Sequence, residues 1–184
     1  MQIKILDLII KKAFFIFIII LTITGLGIMT GCSHNQETLT WAEVISDIRN
    51  KYPNVKQLQT TELQPWLTSP DSESIILIDA RSEDEFSVSH IPGAKNLPYK
   101  KDPRELLKDT KPDNPIVVYC SVGYRSSILA KKIQDMGFTK VYNLEGSIFK
   151  WANEGRPLVQ GQVTVHKVHP YDASWGSLLD TKYH

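Results

Sequence analysis

The sequence predicts an α/β protein in which a mostly parallel sheet of about five strands carries helices on both faces. Two observations lead there. Short apolar runs alternate with amphipathic runs from Val55 to Gly155, the pattern of successive βα units. Two of the apolar runs, Ile75–Ile78 and Ile116–Tyr119, have no polar position at all, as in strands covered on both faces. With 184 residues, 42% hydrophobic and 22% charged, the chain has the composition of a single globular core.

Residues 32–53 read as a tether followed by a helix. Ser33 to Thr40 is polar, and WAEVISDIRNKY then spaces Trp41, Val44, Ile45 and Ile48 along one helical face before Pro53 stops it. Residues 54–156 hold the repeat. VKQL leads into TTELQPWL, IILID into SEDEFSV, AKNLP into DPRELLKD, IVVYC into RSSILAKKIQDMG, and VYNLEG into SIFKWANEG. Leu129, Ile133 and Met136 mark the inner face of the helix that Gly137 ends. Residues 157–184 form an extension. Val163, Val165, Val168, Tyr171, Trp175, Leu178 and Leu179 give it too much apolar surface for a solvated tail, so it is expected to dock on the domain. His166 and His169 are three apart, a spacing that suits a metal only on a helix. The surrounding valines favour a strand and no third ligand is near, so no metal site is expected.

Lys and Arg number 21 and Asp and Glu 20, so no long-range field favours nucleic acid, and no nucleic-acid partner is expected. The N-terminus differs from all that follows. MQIKILDLIIKK carries three lysines, and AFFIFIIILTITGLGIM follows without a charge. Its length fits both a long signal-peptide core and a short membrane span. The lysines favour a cytoplasmic N-terminus under either reading, which places the domain outside the cytoplasmic membrane. Met29-Thr30-Gly31-Cys32 resembles the lipobox of bacterial lipoprotein signal peptides. That resemblance implies that residues 1–31 are a signal peptide cleaved after Gly31, with lipid on Cys32 as the membrane anchor. An uncleaved anchor is the alternative. Loss of residues 1–31 removes three lysines and one aspartate, leaving 18 basic and 19 acidic side chains.

Cys120 follows the apolar run Ile116–Tyr119. In open parallel sheets, ligands bind beyond the carboxyl ends of the strands. Cys32 is the only other cysteine, so Cys120 has no expected disulfide partner and is either buried or used. The loop Ser121-Val122-Gly123-Tyr124 leads into a helix starting near Arg125 or Ser126, which directs unpaired N–H groups at the sulfur. Those donors, the helix dipole and the Arg125 guanidinium favour the thiolate. Gly123 lets the loop curl without a side-chain clash. On generic grounds a cysteine after a buried strand is more often a small core residue than a nucleophile.

Four motifs in order resemble the single-domain rhodanese family over roughly residues 54–156. They are Ile78-Asp79-Ala80-Arg81 with Glu83-Asp84-Glu85-Phe86, then His90-Ile91-Pro92-Gly93-Ala94, then Cys120 to Ser126, and lastly Leu144-Glu145-Gly146-Ser147 with Trp151. The resemblance implies a rhodanese-like fold and a sulfurtransferase. Cys120 would take sulfane sulfur from a small donor, hold it as a persulfide, and pass it to a thiol, a protein or a cyanide-like acceptor. Ser121, Val122, Gly123, Tyr124, Arg125 and Ser126 would form the substrate-binding loop. No cofactor or metal is implied, and a monomer is expected. Phosphatases and arsenate reductases of related fold resemble a version of this loop that is one residue longer. Four residues separate Cys120 from Arg125 here, which favours sulfur over a tetrahedral oxyanion. Arg125 is the loop's only cation, which argues against a dianion such as thiosulfate as the preferred donor.

Asp79 and Arg81 at a strand end are read as a structural charge pair. His90 is read as a hydrogen-bonded turn residue, because a thiolate already formed needs no general base. Lys131 and Lys132 read as a solvated helix face, and Trp151 as core. The alternative function is a binding module whose loop meets a partner protein with little or no catalysis.

Replacing Cys32 by Ser should abolish lipid labelling and normal processing in fractionated cells. A mutant still labelled and processed would overturn the lipoprotein assignment.

Overall fold

The computed structural model describes residues 39–70 and 72–184; the 1–31 segment, Cys32 and the tether before Leu39 lie outside the described residues. Helix α1 spans Trp41–Lys51 and is opened by Thr40, whose hydroxyl accepts from the Glu43 N–H while the Glu43 carboxylate accepts from the Thr40 N–H. This reciprocal cap satisfies two donors that a helix start leaves free. The repeat then forms β1 (Lys56–Leu58), α2 (Thr60–Thr68), β2 (Ile76–Asp79), α3 (Glu83–Val88) and β3 (Lys95–Asn96). It continues with α4 (Arg104–Leu107), β4 (Ile116–Tyr119), α5 (Tyr124–Asp135), β5 (Val141–Leu144) and α6 (Ser147–Asn153).

These five strands form one sheet in the order β1-β5-β4-β2-β3, and every neighbouring pair is parallel. The sequence predicted a mostly parallel sheet; here it is wholly parallel, since a helix-bearing connection returns the chain in the same direction each time. Strand alternation then divides the core. Val117 and Tyr119 join Leu77, Phe149 and Trp151 on one face, whereas Ile116, Val118 and Cys120 join Ile78, Leu129 and Ile133 on the other. All four residues of β4 are buried, and Cys120 leaves the carboxyl end of this central strand.

Beyond α6 the chain makes an antiparallel hairpin of β6 (Leu158–Gln160) and β7 (Val163–Val165), turning through Gly161 at φ +61°. The hairpin joins the domain at His90, whose N–H donates to the Val159 carbonyl at 2.8 Å and whose carbonyl accepts from the Val159 N–H at 2.9 Å. A short helix α7 (Ala173–Gly176) follows. Val168, Leu178, Leu179 and Tyr183 are buried in the same cluster as Phe149 and Trp151, so residues 157–184 complete the core rather than trail from it. The apolar residues of this segment divide, however: Val163 and Tyr171 are 67% and 49% exposed. Val163 lies at the turn end of the hairpin, paired with the exposed Gln160.

Leu179 is 3% exposed. Leu179→Ala should therefore cost about 2–4 kcal/mol in urea unfolding, while Val163→Ala stays within about 0.5 kcal/mol. Equal effects would contradict the placement of the segment in the core.

Candidate active site

The turn after β4 is built around one glycine. Gly123 sits at φ +128° ahead of α5, and a Cβ there would lie 2.9 Å from Ile48 Cδ1 and 3.3 Å from Asn143 Nδ2. Both conformation and space require glycine. So placed, the Gly123 N–H donates to Cys120 Sγ at 3.1 Å, and the Ser126 hydroxyl reaches the same sulfur at 3.4 Å. The Ser126 hydroxyl also has the Asn143 Oδ1 at 2.6 Å and the Gly123 carbonyl at 3.1 Å. It has one proton for three acceptors, so it serves the sulfur best when a thiolate draws that proton over. From the other side, the Cys120 N–H donates to Ser147 Oγ at 3.1 Å, and the N–H groups of Ile148 and Phe149 donate to the Cys120 and Ser121 carbonyls. The start of α6 thereby holds the loop.

Arg125 is gripped by Glu85. Its Nη1 donates to Oε2 at 2.7 Å and its Nη2 to Oε1 at 2.8 Å, with Ser121 Oγ a further acceptor at 2.9 Å. Glu85 simultaneously caps α3, its carboxylate accepting from the Ser82 N–H and hydroxyl at 3.0 and 2.9 Å. Burial pushes the Glu85 carboxyl up, but the Arg125 pair and the Ser82 bonds more than reverse this and bring it down to about 2. Burial likewise pushes the Cys120 thiol up. The Arg125 charge, with hydrogen bonds from Ser126 and Gly123, outweighs that and holds the thiol below its ordinary value. Charge and donors thus prevail over desolvation.

Cys120 forms one wall of a cavity of about 360 Å³, together with Ser121, Val122, Tyr124, Arg125, Lys51 from α1, and Tyr171 and Trp175 from the C-terminal segment. Gly123 and Ser126 do not line it; they hold the sulfur instead. Asp79 and Arg81 form a wholly buried pair, Nη2 to Oδ2 at 2.7 Å, and Nη2 also donates to the Ser89 carbonyl at 2.6 Å. They anchor both ends of α3, the helix that carries Glu85. Among the described residues, Arg81 Nη1 and Ser89 Oγ find no partner. His90 stacks on Phe86, ring centres 3.8 Å apart, with its Nδ1 3.1 Å from the Phe86 carbonyl. Asp79, Arg81 and His90 do not line the cavity. His166 lies beyond β7, and the His169 Nδ1 accepts from the Tyr171 N–H at 3.0 Å.

The family model of the rhodanese-like domain matches residues 61–154. The chain belongs to the rhodanese-like domain family. It is 35% identical over 89 residues to a sulfurtransferase of Allochromatium vinosum, covering 48% of this chain and 82% of that protein. It is also 35% identical over 78 residues to the uncharacterized protein YqhL of Bacillus subtilis, covering 42% of this chain and 61% of that one. Among solved structures, the BH2092 protein of Bacillus halodurans superposes with a TM-score of 0.57 at 22% identity, over 76% of this chain and 99% of that chain; it supports the fold.

In this rhodanese-like chain Glu85 stands within a family motif without a role that the sequence alone gives it. The sequence alone likewise does not bring Asn143, Lys51 or the aromatic residues of the C-terminal segment to the site. Two signals were available. Ser82-x-x-Glu85 has the capping-box spacing, and Asn143 is a polar residue inside an otherwise apolar strand, which calls for buried hydrogen-bond partners.

Alkylation of Cys120 by iodoacetamide should level off at lower pH than that of free cysteine. Arg125→Gln removes the charge that favours the thiolate, so the profile should move to higher pH and the rate at pH 7 should fall about tenfold. An unchanged profile would show that Arg125 does not tune the sulfur.

Proposed function

We propose that this rhodanese-like protein is a sulfurtransferase that carries sulfane sulfur as a persulfide on Cys120. What supports this most directly is the setting of Cys120 Sγ at the cavity wall, with the Gly123 N–H at 3.1 Å, the Ser126 hydroxyl at 3.4 Å and a guanidinium that favours the thiolate. The thiolate attacks the outer sulfur of a donor R–S–SH. The donor S–S bond breaks, its electron pair leaves with R–S⁻, and Cys120–S–SH forms. An acceptor thiolate, free or on a protein, then attacks the outer sulfur and restores the Cys120 thiolate. Cyanide would act in the same way. No net oxidation occurs, and the anion stays within reach of fixed donors throughout. Similarity to the sulfurtransferase of Allochromatium vinosum supports the same reading. Ser121, Val122, Tyr124 and Arg125 face the donor in this scheme while Gly123 and Ser126 hold the sulfur, and His90 takes no proton. We further infer that the protein works outside the cytoplasmic membrane, tethered through lipid on Cys32; this rests on the sequence of the N-terminal segment.

Incubation of the purified chain with thiosulfate or cysteine persulfide should add the mass of one sulfur atom to the peptide containing Cys120. Cys120→Ser should abolish both that addition and sulfur transfer to cyanide. Hydrolysis of an aryl phosphate, lost in the same mutant and with no persulfide from any donor, would overturn the assignment.

A further inference from the structure

The cations that face the cavity are already engaged. Arg125 is paired to Glu85 through two hydrogen bonds, and the Tyr171 ring covers it, with 4.7 Å between the guanidinium carbon and the ring centre. Lys51 pairs with Asp47 at 2.7 Å and lies 5.3 Å from the centre of the Tyr124 ring. Asp47 also accepts from the Tyr124 hydroxyl at 2.6 Å. An inorganic dianion entering here would meet two cations whose charge Glu85 and Asp47 already balance, so the site offers it no net positive charge. Apart from Cys120 and Ser121, the remaining wall is aromatic and apolar: Val122, Tyr124, Tyr171 and Trp175. Trp175 meets Tyr124 edge to face at 5.5 Å.

Tyr171 is held in place at a conformational cost. It adopts φ +67°, which a residue with a Cβ rarely takes. Its N–H donates to His169 Nδ1 at 3.0 Å, and Asp172 just after it caps α7 by accepting from the Trp175 N–H at 2.9 Å. Nothing in core packing calls for this, since the Tyr171 side chain is half exposed. The backbone strain instead sets the ring over Arg125 at the cavity. A space of about 360 Å³ is at the small end of organic-ligand sites and far exceeds what one sulfur atom needs.

We infer that Tyr171 and Trp175 select the donor, making the site fit a persulfide whose sulfur is carried on an apolar carbon group in preference to an inorganic sulfur dianion. This rests on the sulfur-transfer reading above. The apolar group lies against the aromatic wall while its outer sulfur meets Cys120 Sγ. Cys120–S⁻ and R–S–SH give Cys120–S–SH and R–S⁻, and the leaving thiolate passes out of the cavity and takes up a proton from solvent.

The test compares the rate at which benzyl persulfide and thiosulfate load Cys120 of the full chain, followed by mass spectrometry. Tyr171→Gly is the informative variant, because glycine accepts φ +67° and the ring is lost without new strain. The rate from benzyl persulfide should fall about five- to tenfold, while that from thiosulfate stays within about twofold or rises. Tyr171→Phe, which keeps the ring, should retain the wild-type ratio. If the ratio of the two rates is the same in Tyr171→Gly as in the wild type, whether both hold or both fall, the selective role is overturned and sulfur transfer stands. Loading of the wild type by neither donor would overturn both.

Discussion

The buried ion pair between Glu85 and Arg125 is the interaction on which the rest of the site depends. It joins the first turn of helix α3, which follows β2, to the first turn of helix α5, which follows β4, forty residues apart in the chain, and it can do so because β2 and β4 are neighbours in the sheet. Burying two charges is costly, and only good geometry with further hydrogen bonds offsets it. Both conditions are met here: the pair is bidentate, Ser82 donates to the Glu85 carboxylate, and Ser121 accepts from Arg125. The Asp79–Arg81 pair supports it by holding α3 at each end. Loss of either partner of Glu85–Arg125 would leave a bare charge in the interior, a cost of about 3–5 kcal/mol.

From that pair follows the state of Cys120. A thiol inside a protein is ordinarily less acidic than one in water, because the thiolate loses its hydration. Here the Arg125 charge, the Gly123 N–H and the Ser126 hydroxyl replace that hydration with fixed dipoles. Asn143 is the counterpart on β5: it holds the Ser126 hydroxyl by Oδ1 and donates from Nδ2 to Gln57 on β1. The network beneath the sulfur therefore reaches across the sheet from α3 to β1.

The C-terminal segment contributes to stability and to the site with different residues. Leu178, Leu179 and Tyr183 root it in the core. Asn153 of α6 holds it in register, donating to the Leu178 carbonyl and accepting from the Asp180 N–H, each at 2.8 Å. With its base so fixed, the segment carries Tyr171 and Trp175 to the cavity. A wall so rooted presents its rings at little further entropic cost.

The sequence by itself determined the order of strands and helices, because each buried strand is a short uninterrupted apolar run and each amphipathic helix carries its own period. It also determined that Cys120 ends a central strand and that Gly123 turns the chain there, since a buried strand, a small loop and a helix start are local matters. Met136 shows a limit of such patterns: expected on the inner face of α5, it is 38% exposed, because it falls at the helix end where the face has turned from the sheet. Only the tertiary structure decided that Glu85 rather than solvent faces Arg125, that Asn143 holds Ser126, and that Lys51, Tyr171 and Trp175 enclose the sulfur. These residues come from α3, β5, α1 and the C-terminal segment, and no local period records which distant turns a parallel sheet brings to its carboxyl edge.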